Sequence, residues 1–391
     1  MDLDFDEADL VFRAEVHDWL AAHVPAAPLP SLETAEGFAA HREWEAELAA
    51  DRWSVVSWPE EYGGRGCSIL RWLLFEEEYY AAGAPGRVGQ NGINLLAPTL
   101  FEYGTAEQRA RVLPPMARGE VVWAQAWSEP EAGSDLASLR STAVRTDGGW
   151  LLSGQKTWSS RAAFADRAFG LFRSDPGADR PHRGLTYLMF PLDAEGVTVR
   201  PIGRIDGKPA FAELFLDEVF VPDRDVIGEP GRGWRVAMST TGNERGLTLR
   251  SPGRFTAAAD RLTALWHAQG DPADTALRDR VADAVIAARA YRLFSYAAAS
   301  RVLHGEDGPA PAASSLNKVY WSELDIALHE TALDLLGPSG ELADHAADSP
   351  AHGAWAEGYT FALAGPIYAG TNEIQRDIIA ERLLGLPKGR R

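Results

Sequence analysis

Apolar residues recur at helical spacing through the first 120 residues of the chain. One amphipathic stripe near the start is formed by Phe12, Val16, Trp19 and Leu20. Thr105 and Gln108 have the spacing of a capping box, which predicts that a helix begins there and continues through Arg109–Met116. The pattern therefore predicts an N-terminal helical domain over residues 1–120.

Between residues 121 and 228 the pattern changes to short β-branched and aromatic runs that are separated by turns. Ala143–Thr146 and Trp150–Leu152 flank the turn residues Asp147–Gly149, which is typical of a β-hairpin. Further strands are predicted over Gly184–Phe190 and Phe211–Leu216. We therefore predict a small central β domain over residues 121–228.

Helical periodicity returns after Gly233 and predicts a C-terminal helical domain over residues 229–391. The predicted helices are Trp234–Trp266, Ala276–Leu303, Ser314–Leu336 and Ile374–Leu384. Pro252 removes one backbone donor, so we expect a kink or a local end there. His304–Ala313 is rich in Gly, Pro and Asp and is predicted to be a loop between packed helices.

Charge and composition exclude some classes of protein. The formal net charge is −18 at pH 7, and no stretch gathers the Lys and Arg that a nucleic-acid phosphate backbone requires. Cys67 is the single cysteine, so no intrachain disulfide forms, as expected in a reducing compartment. The start of the chain is acidic, and no apolar run reaches the roughly 18 residues that span a bilayer. We predict a cytoplasmic protein with no nucleic acid, membrane or metal partner.

Three segments carry the candidate chemistry. Gln125–Asp135 follows a strand-like run and gathers hydroxyls, a Pro and a Gly in one loop, which suits an anionic or heteroaromatic ligand. Lys156–Ser160 adds a Trp and two Ser after a predicted strand. Ala364–Arg376 contains an aromatic residue, Gly-Thr and a following helix start. Taken alone, the Gln125–Asp135 loop is more often a surface turn than a binding site.

The three segments together resemble the acyl-CoA dehydrogenases. Trp58–Gly66, Phe220–Pro222 and Ala380–Gly385 extend the resemblance over nearly the full length. It implies an α+β fold that is mainly α, with an N-terminal helical domain, a central β-barrel-like domain and a C-terminal four-helix bundle. It also implies an FAD-dependent α,β-dehydrogenation of an acyl thioester, in which a base takes the α-proton and the β-hydride passes to flavin N5.

The resemblance also implies roles for individual residues. Trp127 and Ser128 would lie against the isoalloxazine ring, Ser134 on the pyrophosphate side, and Trp158 beside the flavin. The residues implied to bind FAD are Gln125, Trp127, Ser128, Gly133, Ser134, Trp158, Ser160, Gly370, Thr371, Glu373 and Gln375. Those implied to bind substrate are Asn243, Arg245 and Ser134.

The catalytic base departs from the pattern of many family members. The position that often carries a catalytic Glu is Ala369 here, although an alanine keeps the backbone N–H that would bind the thioester carbonyl. Some members, including those for branched, long-chain, steroid-side-chain or carrier-protein-bound substrates, place their Glu just before an Arg on the helix after the β domain. Glu244 before Arg245 matches that position. The alternative is that Glu244 is an ordinary carboxylate on a solvated helix face.

Some residues with which family members contact a neighbouring subunit are absent or replaced here. His267–Pro272 has no Arg and Phe pair, and Asp334–Gly340 puts Asp where Gln is expected. The resemblance therefore leaves open a homo-oligomer or an α2β2 assembly with a related subunit, with an electron-transfer flavoprotein or a similar protein as the acceptor. Bulky, branched or ring-bearing acyl groups on CoA are expected, with a carrier-protein thioester as a variant. A non-catalytic partner subunit, or an oxidase or desulfinase of the same fold, are the competing hypotheses.

Overall fold

The computed structural model describes residues 5–245, 251–304, 311–342, 346 and 348–388. The side chains of residues 244, 245 and 311–313 lie outside the described part. Contacts divide the chain into two compact units. The first consists of Met1–Val24, Ser68–Ala84 and Arg245–Arg391, and the second of Pro25–Cys67 and Pro85–Glu244. Because contacts rather than chain order define these units, the boundaries at about 120 and 229 stay predictions.

The first third of the chain is helical, as predicted. Its helices are α1 (Glu7–His23), α2 (Ala35–Ala50), α3 (Ile69–Ala81), α4 (Ala97–Tyr103) and α5 (Ala106–Ala117). The predicted capping box is present, because the Thr105 hydroxyl accepts from the Gln108 N–H while the Gln108 side chain accepts from the Thr105 N–H. A π-helical turn over Gly92–Leu96 precedes α4.

The strands form one eight-stranded sheet in the second unit. They are β1 (Trp123–Ala126), β2 (Thr142–Thr146), β3 (Gly149–Ser160), β4 (Arg167–Arg173), β5 (Leu185–Pro191), β6 (Val197–Ile202), β7 (Phe211–Pro222) and β8 (Val226–Ile227). The strand order is β6-β7-β3-β2-β4-β5-β8, and β1 pairs in parallel with β4. The predicted hairpin is β2 and β3, with Thr146 opposite Gly149. Trp150, Leu152, Phe172, Phe190 and Leu214 are among its core residues.

The remaining helices follow the sheet along the chain. They are α6 (Gly233–Arg245), α7 (Pro252–Gln269), α8 (Thr275–Leu303), α9 (Pro311–Leu336), α10 (Ala354–Ala362) and α11 (Asn372–Ile378). The break expected at Pro252 is confirmed, because α7 begins at this residue. The loop predicted over His304–Ala313 is partly wrong: α9 starts at Pro311, and residues 305–310 lie outside the described part. Proline is well suited to a first helical turn, where its missing N–H costs no bond.

In the first unit, α7, α8 and α9 pack around a common apolar core, and α3 packs against α7 and α8. Phe255, Tyr291 and Trp321 are almost completely buried there. Gly253 allows the close approach of α7 to α3, since a Cβ atom at this position would lie 2.6 Å from the Glu76 carbonyl oxygen. Within the described helices, none is both long and apolar enough to cross a membrane.

The close approach at Gly253 gives a test of this packing. Gly253→Ala is expected to lower the free energy of unfolding by about 1–3 kcal/mol, because the backbone of α3 must move to admit the methyl group. Gly242→Ala is the matched control, since a Cβ there meets open space. It should raise helix stability by about 0.5–1 kcal/mol. Urea denaturation of both variants measures the difference, and equal effects of the two substitutions would contradict the packing.

Candidate active site

In the second unit, the loop after β1 presents one tryptophan inward. Trp127 is buried, and its indole N–H has no hydrogen-bond partner among the described residues. The Ser128 carbonyl accepts from the Thr157 N–H at 2.8 Å, which ties the loop to β3. Gln125 lies in β1 and is half-buried, whereas Gly133 and Ser134 are exposed further along the loop.

An irregularity in β3 turns a second tryptophan outward. The pairing of β3 with β7 shifts between Lys156 and Ser159, and Trp158 within this bulge has a φ of +57°. The Trp158 side chain is consequently 60% exposed, with its edge against Phe211. Ser160, at the end of the strand, is half-buried. An exposed indole on a strained, sheet-anchored backbone is a flat apolar surface that can stack against an aromatic ligand.

A buried ion pair supports both tryptophan-bearing segments. The Lys156 side chain is fully buried, and its Nζ donates to the Glu129 carboxylate at 2.8 Å, to the Leu171 carbonyl at 2.8 Å and to the Trp127 carbonyl at 3.3 Å. The Glu129 carboxylate also accepts from the Arg140 N–H at 2.6 Å and the Ser141 N–H at 2.9 Å. These three ammonium hydrogen bonds therefore end on the loop or on β4 of the sheet.

Burial and pairing shift the acid–base behaviour of the pair. Burial lowers the pKa of Lys156 to about 8, and the Glu129 carboxylate opposes that shift. Burial alone would raise the pKa of Glu129. The Lys156 charge and the hydrogen bonds from Arg140 and Ser141 outweigh it, so the pKa of Glu129 lies below its ordinary value. Near neutral pH both groups are charged.

In the first unit, the chain between α10 and α11 makes a tight left-handed turn. Ala369 and Gly370 have φ values of +57° and +79°. The Gln375 amide donates to the Ala369 carbonyl at 2.9 Å and to the Gly370 carbonyl at 3.2 Å. Thr371 caps α11 by accepting from the Ile374 N–H. The carbonyls of the turn are thus satisfied by a fully buried glutamine.

A second buried lysine secures the start of α11. The Lys318 ammonium donates to the Asn372 side-chain oxygen at 2.7 Å, and the Ser322 hydroxyl donates to the same oxygen at 3.1 Å. Glu373 is exposed, and hydrogen bonds from its own backbone N–H and from Thr371 lower its pKa.

Comparison with known proteins decides the family. Three family models match in chain order: "Acyl-CoA dehydrogenase, N-terminal domain" over residues 6–120, "middle domain" over 124–219 and "C-terminal domain" over 231–384. The chain belongs to the acyl-CoA dehydrogenase family. The predicted family, the three-part fold class and the enzyme class are thereby confirmed.

The relatives of this acyl-CoA dehydrogenase match over almost the whole chain. It is 39% identical over 394 residues to "Acyl-CoA dehydrogenase IpdE1" of Mycolicibacterium smegmatis, with 96% of this chain and 97% of the relative covered. It is 40% identical over 388 residues to the protein of the same name in Mycobacterium tuberculosis, with the same coverage.

Two solved structures are similar over their full lengths. The "Tcur3481-Tcur3483 steroid ACAD" has a TM-score of 0.88 at 30% identity, and each chain is covered completely. The ChsE4-ChsE5 complex from Mycobacterium tuberculosis has a TM-score of 0.86 at 30% identity, again with complete coverage of both chains.

Acyl-CoA dehydrogenases depend on a flavin, and the donor set here suits one. The exposed Trp158 indole offers a stacking surface. The Trp127 N–H, the Ser159 hydroxyl and the Gln375 side-chain oxygen are buried polar groups without a partner among the described residues. Such groups are costly unless a ligand or water completes them. In each unit, these groups therefore fit a heteroaromatic, hydrogen-bonding cofactor.

The roles predicted for the site residues stay predictions. Helix α6 carries Asn243, which is half-buried, while the side chains of Glu244 and Arg245 lie outside the described part. Among the described residues, no cluster of His, Cys, Asp or Glu side chains has the composition of a metal site.

The sequence interpretation did not identify Lys156 and Glu129 as functional residues. One signal for Lys156 was available, because the period-two pattern that begins at Trp150 and Leu152 also places it on the core face of β3. No comparable pattern marked Glu129, whose buried position depends on the irregular loop.

The Lys156 pKa gives a prediction with a definite sign. The unfolded chain keeps this proton up to the ordinary value of 10.5, whereas the folded protein releases it near pH 8. The free energy of unfolding from this group should therefore rise with pH between about 8 and 10.5, by up to about 1.4 kcal/mol per pH unit. Urea denaturation across this window measures the slope.

Two variants distinguish the Lys156 contribution to the free energy of unfolding from the contributions of other titrating groups. Lys156→Met should lose the rising component and should be about 3–5 kcal/mol less stable at pH 7, because Glu129 is left buried without its cation. Lys388→Met, at an exposed position, should keep the wild-type slope. Identical slopes in wild type and Lys156→Met would show that Lys156 does not titrate here.

Proposed function

We propose that the chain is a catalytic, FAD-binding acyl-CoA dehydrogenase whose base is Glu244 and whose substrate carries a bulky, branched or ring-bearing acyl group. The observation that supports it best is the turn at Ala369, which contributes a rigid backbone and no carboxylate. A base must then come from another element, and Glu244 on α6 has the matching sequence context. The names of the similar steroid ACAD structures support the acyl class.

The reaction divides between two groups of this chain. The Glu244 carboxylate accepts the α-proton of the thioester, and the C–H electrons enter the new α,β double bond. The Ala369 N–H donates to the thioester carbonyl oxygen, on which negative charge develops as the α-proton leaves. FAD, when bound, supplies the acceptor for the β-hydride. One proton and one hydride leave, so the acyl group loses two hydrogens and two electrons.

The FAD residues implied by the family are proposed for the same roles. Trp127 and Ser128 would contact the isoalloxazine ring and Trp158 would stack near it, while Ser160 and Thr371 would donate hydrogen bonds. Gln125, Gly133, Ser134, Gly370, Glu373 and Gln375 complete the proposed FAD set. Ser134, Asn243 and Arg245 are proposed to contact the substrate. The intact tryptophan surfaces favour a catalytic subunit over a non-catalytic partner.

A base substitution tests the mechanism. Glu244→Gln should retain FAD but lower the rate of flavin bleaching by an acyl-CoA by about 10²–10⁴-fold, because the amide cannot accept the α-proton. The panel should contain butyryl-, isobutyryl-, octanoyl- and palmitoyl-CoA and a CoA thioester of a steroid side-chain acid. Glu47→Gln, an exposed carboxylate on α2, is the control and should bleach like wild type. Undiminished bleaching by Glu244→Gln would refute the assignment of the base.

We also propose that a related subunit completes the FAD site, as in an α2β2 assembly. At the position where the family pattern has Gln, Asp334 forms an exposed ion pair with Arg280 of the same chain. That position is therefore engaged within the chain. The similar ChsE4-ChsE5 complex, whose name gives two different chains, is in keeping with this proposal.

The flavin content of the isolated chain tests whether a partner subunit is needed for FAD binding. Purified alone, the chain should contain clearly less than one FAD per subunit, and co-purification with a related subunit should restore stoichiometric FAD. Flavin absorbance after denaturation, divided by protein concentration, gives the ratio. One tightly bound FAD per subunit in the isolated chain would refute the need for a partner.

A further inference from the structure

Three buried hydroxyl groups meet where α4, β5 and α6 pack in the second unit. Thr99, Tyr187 and Thr240 are each completely buried. The Thr99 and Thr240 hydroxyl oxygens are 2.7 Å apart, and the Tyr187 and Thr240 hydroxyl oxygens are 3.2 Å apart. Apolar side chains of the same volume would serve the packing equally well, so hydroxyls at all three positions need another reason.

The direction of each hydrogen bond can be assigned. The Thr99 hydroxyl donates to the Leu95 carbonyl at 2.8 Å, which uses its single proton. The bond between the two threonines must then be donated by Thr240, and the bond to Thr240 by Tyr187. The alternative acceptor for Thr240, the Val236 carbonyl, lies at a longer distance of 3.3 Å. All three hydrogen bonds are therefore donated in the same direction: Tyr187 donates to Thr240, Thr240 to Thr99, and Thr99 to the Leu95 carbonyl.

This hydroxyl chain, defined as Tyr187–Thr240–Thr99, touches the proposed flavin side at one end. The Tyr187 ring lies edge-on to Trp127, with ring centroids 6.2 Å apart, and stacks on Phe169. At the other end, Leu95 belongs to the π-helical turn before α4. The Thr99 hydroxyl thus bonds back to a carbonyl four residues earlier, in this π-helical turn.

Neighbouring contacts fix the same helix pair. The Ser239 hydroxyl donates to the Glu102 carboxylate, and the Arg235 guanidinium lies 5.8 Å from the centroid of the Tyr103 ring. Helix α6 is therefore attached to α4 at successive positions along its length. Glu244 follows Thr240 by four residues, which is one helical turn or about 6 Å of rise.

We propose that the hydroxyl chain is a positioning device: it sets α6 against the Trp127 loop and thereby fixes where the Glu244 backbone stands relative to the flavin. This inference rests on the proposed roles of Glu244 and Trp127. Thr240 is a positioning residue and takes no part in proton transfer. A displacement of about 1 Å at a reacting group can cost about 10²-fold in rate, so small movements of α6 matter.

Thr240→Val tests the hydroxyl chain, because valine keeps the shape of the threonine side chain and lacks the hydroxyl. The thioester that bleaches the flavin fastest in the panel serves as substrate, in α-deuterated and β-deuterated forms, with the enzyme in the assembly that holds FAD. The limiting bleaching rate should fall about 10–100-fold. FAD content and the half-saturating thioester concentration should stay within about 2-fold, and the α-deuterium isotope effect should rise.

Thr241→Val is the matched control. The Thr241 hydroxyl donates to the Ala237 carbonyl of its own helix at 2.9 Å and is not part of the hydroxyl chain. Its bleaching rate and isotope effects should remain within about 2-fold of wild type. Thr240→Ser, which keeps the hydroxyl, should recover most of the rate that Thr240→Val loses. A merely structural hydroxyl would change stability and leave the isotope effects unaltered.

Tyr187→Phe decides the case if Thr240→Val does not fold, since it removes only the first donor and leaves no cavity. It should lower the bleaching rate several-fold with the same rise in the α-deuterium isotope effect. Wild-type rates and isotope effects in a folded Thr240→Val, or in Tyr187→Phe, would overturn the proposal. Glu244→Gln separates the two inferences: full activity there refutes the base, whereas an inactive Glu244→Gln with a normal Thr240→Val refutes only the positioning role.

Discussion

One buried ammonium group holds the surface on which the proposed flavin chemistry depends. The loop after β1 is irregular, and its backbone bond to β3, from the Thr157 N–H to the Ser128 carbonyl, leaves the Trp127 carbonyl to be satisfied by a side chain. Buried backbone groups without partners are costly. Lys156 supplies donors to the Trp127 carbonyl and to Glu129, and Glu129 in turn accepts from the backbone of Arg140 and Ser141. The charge pair thus replaces, for an irregular segment, the ladder bonds that a strand would make.

The C-terminal turn satisfies the same requirement with a neutral side chain. Gln375 donates to two successive carbonyls of the turn, and Lys318 secures the first residue of α11 through Asn372. In both units a long side chain from a regular element stabilises a loop whose own backbone cannot. The loops are therefore positioned by rigid helices and strands, which is what preorganised chemistry needs.

Sequence patterns predicted the elements whose signals are local. The capping box at Thr105, the hairpin that turns at Asp147–Gly149 and the break at Pro252 each depend on a few adjacent residues, and each was predicted correctly. The outward turn of Trp158 could not be predicted, because it follows from a shift in register against β7 that no single strand encodes. The start of α9 at Pro311 was missed because Gly and Pro nearby masked the helical signal.

The candidate site was likewise predictable only where its signals are local in the sequence. Motif residues such as Trp127 and Thr371 could be chosen from the family resemblance, but the groups that support them come from distant parts of the chain. Tyr187 and Thr99 lie on separate elements, and neither has a motif around it. Their hydroxyls meet Thr240 only because the fold brings two helices and one strand together, and hydrophobic periodicity carries no information on such polar contacts.

With alanine at position 369, the proposed catalytic carboxylate and the backbone N–H that polarises the thioester belong to different residues. In many family members one residue provides both. A backbone at φ +57° tolerates alanine better than a β-branched residue. If the carboxylate stands on α6, the turn is free to evolve for carbonyl polarisation alone, and the helix is free to vary around the acyl group. Substrate range can then diversify by changes in one ordinary helix, without disturbing the most constrained stretch of backbone in the site.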